Sequence, residues 1–87
     1  METESELEKW ADALAATIRA ERAAAGMTSA EMVAATEIPS TVYWRIEKGT
    51  RPVHVLQLRK IAIALGTSTE DLIRKTDARA IESQRLP

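Results

Sequence analysis

The segment Thr28–Gly49, TSAEMVAATEIPSTVYWRIEKG, holds two short helical patterns separated by a turn. Thr28 and Glu31 make the T-x-x-E signature of a capping box, in which a hydroxyl and a carboxylate satisfy free N–H groups at a helix start. The helix they open has Met32 and Val33 as inward residues and stops near Ala35 or Thr36. A second helix begins close to Pro39, because proline suits a first turn and breaks an interior. Ile46, with one or both of Val42 and Tyr43, anchors it, and Gly49 closes it. Two helices joined this tightly cross at about a right angle, which demands small or shape-matched residues at the crossing. Met32, Val33, Ile38, Tyr43 and Ile46 stand where those contacts fall. The outward side of the second helix then carries Ser40, Thr41, Trp44, Arg45 and Lys48.

Working outward, Leu7, Trp10, Ala11, Leu14 and Ile18 follow the three-and-four spacing of a helix face upstream of this unit. Eight of the fifteen residues from Ala11 to Ala25 are alanine, the best helix former, and Gly26 ends the run. Downstream, after a loop through Arg51 and Pro52, a fourth helix from about His54 aligns Val55, Leu58, Ile61, Ala62 and Leu65, with Gly66 as its stop. A fifth opens with Ser68 as cap and Asp71 as first-turn acid, and buries Leu72 and Ile73. No strand pattern or repeat is present. The expectation is a compact all-α, five-helix domain over residues 7–75, with an acidic lead-in at 1–6 and a partly disordered tail at 76–87. Trp10 is expected to pack under the fifth helix or at a subunit contact.

Composition narrows the function by exclusion. The chain has 87 residues, no cysteine and one histidine, so neither a disulfide nor a metal site is expected. No glycine-rich phosphate loop or carboxylate pair with a neighbouring nucleophile is present, so neither an enzyme nor a cofactor is expected. No apolar run approaches the roughly 20 residues of a membrane span, and the acidic start is unlike a signal peptide. A cytoplasmic protein with no membrane association is the expectation. The net charge of −1 hides an asymmetry: five carboxylates against Lys9 give residues 1–12 a net −4, leaving +3 on the other 75. From Pro39 to Lys60, Arg45, Lys48, Arg51, Arg59 and Lys60 face only Glu47. Screening confines each charge to roughly 8–10 Å, so a local basic face attracts phosphate whatever the total. The alternative is an ordinary solvated surface.

Residues from about Leu14 to Ile73 resemble the lambda-repressor-like (Cro/CI-type, XRE-type) helix-turn-helix family. The marks are I-R-x-x-R before Gly26, T-S-x-E-M, R-I-E-K-G, the 17-residue step from Gly49 to Gly66, and A-x-A-L-G-x-S-x-E-D-L-I. The resemblance implies a five-helix domain that binds double-stranded operator DNA, usually as a homodimer, with the third helix in the major groove. Carried over by position, it makes Ser40, Thr41, Trp44 and Arg45 base-reading residues. Thr28, Ser29, Lys48, Arg51 and His54 become DNA-backbone contacts, although a cap or plain surface role for His54 stays open. Arg22 and Glu47 match a structural ion pair. Tyr43 matches the inward position, which leaves Trp44 exposed. Three residues depart from the family pattern: Glu37 where glycine is usual in the turn, Val33 for alanine, and Ser29 for glutamine.

The functional expectation is a sequence-specific DNA-binding transcriptional regulator, a repressor of phage or bacterial type. The alternative is an antitoxin-like or other protein-interaction module that binds a protein partner through its N- or C-terminal segment. Leu72, Ile73, Ile81 and Leu86 are candidate dimer residues.

Overall fold

Short cap signatures cut the chain into its helices. In the computed structural model, which describes residues 2–85, these are α1 (Glu4–Ala24), α2 (Ser29–Thr36), α3 (Ser40–Lys48), α4 (Val55–Ala64) and α5 (Thr69–Arg85). Capping boxes at Thr3/Glu6, Thr28/Glu31 and His54/Gln57 open α1, α2 and α4, and the Ser68 hydroxyl accepts from the Asp71 amide at the start of α5. The five-helix, all-α expectation is met.

α1 packs along α5 and against α3, α2 crosses α3 and touches α4, and α4 leans on α5. The core between them is aliphatic: Leu14, Ile18, Met32, Ile38, Ile46, Leu58, Ile61, Ala62 and Leu72, with the ring of Tyr43. Buried Thr17, Thr36 and Thr76 each donate a hydroxyl to the carbonyl four residues earlier, so they enter the core without an unpaired group. Gly49 ends α3 in the left-handed region, where a side chain is disfavoured. A Cβ there would also meet Ala15 and Asp12 at 3.4 Å. The small side chain of Ala15 thus helps α3 to end this close to α1.

Four expectations are corrected. Leu7 and Ala11 are exposed, and the inner face of α1 runs through Trp10, Ala13, Leu14, Thr17 and Ile18. Val55 is 66% exposed, so the inner stripe of α4 starts at Leu58. In both cases periodicity names the residues that share a face but not how far along it a neighbour reaches. Residues 4–6 of the stretch read as lead-in and 76–85 of the stretch read as tail are helical, α1 starting at Glu4 and α5 running on to Arg85. The stretch after Lys75 is held by α1: Trp10 Nε1 donates to Asp77 Oδ1 at 2.7 Å, Arg79 Nε donates to Thr17 Oγ1 at 3.3 Å, and Ala80 is buried. Leu72 is completely buried and unavailable to a partner, whereas Ile81 is exposed; Leu86 lies outside the described residues.

Glu37 ends α2 at φ 59°, the one residue other than glycine in the left-handed region among those described. That conformation costs a residue with a Cβ on the order of 1 kcal/mol. Glu37→Gly is therefore expected to stabilise the fold by about 1 kcal/mol, raising Tm by roughly 4–8 °C in a thermal melt. An unchanged or lowered Tm would contradict the strain.

Candidate nucleic-acid interface

The α2–turn–α3 unit is held from behind by α1. Arg22 Nε reaches Glu47 Oε2 at 2.8 Å, and Arg22 Nη1 donates to the Met27 carbonyl at 3.0 Å. Arg19 donates to the backbone carbonyl of Glu47. Two cations thus meet the C-terminal end of α3, where the helix dipole favours positive charge. The hydrogen bond to Glu47 raises the Arg22 pKa further above its ordinary value. Tyr43 lies beneath, its hydroxyl buried without a hydrogen-bond partner among the described residues. Burial first, and then the nearby Glu47 carboxylate, keep that phenol protonated well above its ordinary range.

With Tyr43, Ile46 and Glu47 turned inward, α3 presents Ser40, Thr41, Trp44, Arg45 and Lys48 to solvent. Thr28, Ser29, Arg51 and His54 are exposed as well, so every residue assigned above to DNA contact stands on the surface. Trp44 is 55% exposed, and Lys48 Nζ lies 3.7 Å from the centroid of its ring, a cation–π contact one turn along the helix. From Ile38 to Lys60 the one carboxylate is Glu47, buried and paired with Arg22, while Arg45, Lys48, Arg51, Arg59 and Lys60 are all exposed. The surface over this stretch is therefore positive.

Local hydrogen bonding sorts the candidate backbone contacts. The Thr28 amide donates to the Glu31 carboxylate at 2.9 Å, and the Glu31 amide donates to the Thr28 hydroxyl at 3.1 Å. These bonds lower the Glu31 pKa and place a carboxylate at the start of α2. Thr28 keeps its hydroxyl proton for an outside acceptor. His54 is a cap: its Nδ1 accepts from the Leu56 amide at 3.1 Å. A neutral ring whose Nδ1 accepts keeps Nε2–H as a donor. At α3 Pro39 makes no side-chain cap bond, so the first-turn N–H groups beside Ser40 and Thr41 have no side-chain partner.

Two features escaped the sequence reading. Arg19 was visible within I-R-x-x-R, yet only Arg22 was given a role. The second is an open slot of about 510 Å³ between the starts of α2 and α3, with Val33 and the Tyr43 ring among its walls. The signal for it was small residues, Ser29 and Ala30 facing Ser40 and Thr41, beside one large indole.

A short helix pair joined by a tight turn and packed on α1 and α4, with a cationic outer face, is the arrangement of a helix-turn-helix domain. The chain belongs to the helix-turn-helix domain family, whose sequence profile matches residues 13–75. Among solved structures it is similar to the clp gene regulator ClgR from Corynebacterium glutamicum. The two are 26% identical, with a TM-score of 0.78 over 87% of this chain and 82% of that one. No curated protein matches the chain in sequence.

Removing Arg22 strands the Glu47 carboxylate, whose side chain is only 8% exposed. Arg22→Met is expected to cost roughly 2–3 kcal/mol in chemical denaturation, below the range for a wholly buried pair because Arg22 is itself 24% exposed. Adding Glu47→Gln should recover part of that loss. A double variant whose stability equals the sum of the two single changes would show that the pair is not coupled.

Proposed function

We propose that the chain is a sequence-specific DNA-binding transcriptional regulator, a phage- or bacterial-type repressor that acts in the cytoplasm without a cofactor. The observation that carries the reading is the exposed face of α3: hydroxyls and cations, with no exposed carboxylate from Ile38 to Lys60. The regulator named in the similar solved structure supports it. In this reading α3 enters the major groove. Arg45 takes a guanine edge, the commonest specific contact, while Ser40, Thr41 and Trp44 meet neighbouring bases. Lys48, Arg51, the Nε2 of His54, and the hydroxyls of Thr28 and Ser29 hold phosphates and fix the register.

A helix of this size reads only a half-site, so a second copy is proposed about one turn, roughly 34 Å, along the duplex. Leu56 and Ile63, exposed two turns apart on one side of α4, and Ile81 on α5 are the apolar residues proposed for the subunit contact. One observation favours a second reading, a module that binds a protein partner: Leu7 is exposed amid Glu4, Glu6 and Glu8 at the start of α1.

A gel-shift titration against DNA flanking the gene, at about 50 and 200 mM salt and beside an unrelated duplex, separates the two. Preference for its own region establishes the regulator. Equal, salt-sensitive binding to both duplexes reduces the interface to phosphate attraction, and no binding to either favours the protein partner. Arg45→Ala is expected to cost roughly 1–3 kcal/mol on the preferred duplex and to relax sequence preference. Arg51→Ala should weaken all duplexes alike and lower the salt slope by about one. Unchanged affinity and preference in Arg45→Ala would remove that residue from the reading set.

A further inference from the structure

The slot between the two helix starts is walled by Ser29, Ala30 and Val33 of α2 and by Ser40, Thr41, Tyr43 and Trp44 of α3. Its wall is mainly apolar, and the polar side-chain atoms of its lining residues are neutral hydroxyls and the indole N–H of Trp44. No charged side chain lines it, so a phosphate or a carboxylate would find no counter-ion inside. Yet Arg45 stands next to Trp44 on α3, and Lys48 lies against the indole one turn further on. An apolar recess on a cationic face suits a polyanion that carries an apolar group. On the major-groove edge of DNA, that group among the four bases is the thymine 5-methyl.

We infer that this slot is a thymine-reading subsite, with the Trp44 indole and the Ala30 and Val33 side chains enclosing the 5-methyl group. The inference rests on the DNA-binding reading and adds a base identity to it. The subsite exists because residues 29, 30, 40 and 41 are all small: longer side chains there would fill the recess. Lys48 braces the indole from the C-terminal side, while Ser40 lies one turn before it and borders the slot.

The test uses the full chain and a preferred duplex selected from a random pool, with each thymine replaced in turn by deoxyuridine, which lacks only the methyl group. Burying one methyl corresponds to about fourfold in affinity. The wild-type protein is expected to lose about that much at one thymine per half-site. Trp44→Ala, at an exposed position, and Ala30→Leu, which fills the slot from the other side, should both bind that thymine and deoxyuridine within about twofold of each other. A thermal melt confirms that each variant is folded. Tolerance of deoxyuridine at every position, or a full methyl penalty retained in Trp44→Ala, overturns the subsite while leaving the regulator reading intact. Failure of the random pool to yield any preferred duplex overturns both.

Discussion

The placement of α3 rests on the cluster of bonds that α1 sends to its C-terminal end. A nine-residue helix is too short to persist alone in water, so its orientation must come from tertiary contacts. Tyr43 and Ile46 supply the burial, but apolar contacts are non-directional and leave the helix free to slide or roll. Arg22 and Arg19 remove that freedom, one by binding the Glu47 side chain, the other by binding its backbone carbonyl. Because Arg22 also holds the Met27 carbonyl, the segment leading into α2 is fixed by the same guanidinium. The ion pair has a second effect, since it withdraws the only carboxylate of α3 from the outer face. One interaction thus sets both the aim of the helix and the sign of its surface.

Much of this was legible, and what was legible was local. Thr28/Glu31, Gly49, Gly66 and Ser68 act where their cap chemistry places them. The Thr3/Glu6 box at the start of α1 carries the same T-x-x-E signature, and reading it would have begun that helix three residues before Leu7. The continuation of α5 was hidden for a different reason. Its buried stripe runs Leu72, Thr76, Ala80, in which threonine breaks the apolar pattern and a single alanine is too weak a signal to carry it on. Thr76 is admissible there because its hydroxyl bonds the Leu72 carbonyl, a satisfaction that exists only once the helix has formed. The exposed set on α3 followed from choosing Tyr43 as the inward residue, since one inward position fixes the rest by geometry. The slot could not be read in that way, because it is made by the side chains that Ser29, Ala30, Ser40 and Thr41 lack.

Glu37 is where local and global requirements conflict. The turn from α2 to α3 needs a left-handed residue so that Ile38 can drop into the core, and glycine would meet that need without strain. The turn survives a glutamate because its neighbours over-determine it. Thr36 donates its hydroxyl to the Met32 carbonyl and accepts the Ile38 amide at 3.3 Å, and Ile38 is almost fully buried. Burial of one such side chain is worth about 1.5–3 kcal/mol, which exceeds the strain of the residue before it.

The net charge of −1 says little about what this molecule binds, and the fold explains why. The acidic residues Glu2, Glu4, Glu6 and Glu8 sit at the far end of a 21-residue α1, whose other end carries the arginines that grip α3. Glu4 precedes Arg19 by fifteen residues, about 22 Å along a helix axis. At physiological ionic strength that is more than twice the screening length of about 8 Å. A polyanion lying against α3 is therefore governed by Arg45, Lys48 and Arg51 and hardly senses the acidic end. The charge that matters for this surface is the local one, and from Ile38 to Lys60 the exposed charges are all cationic.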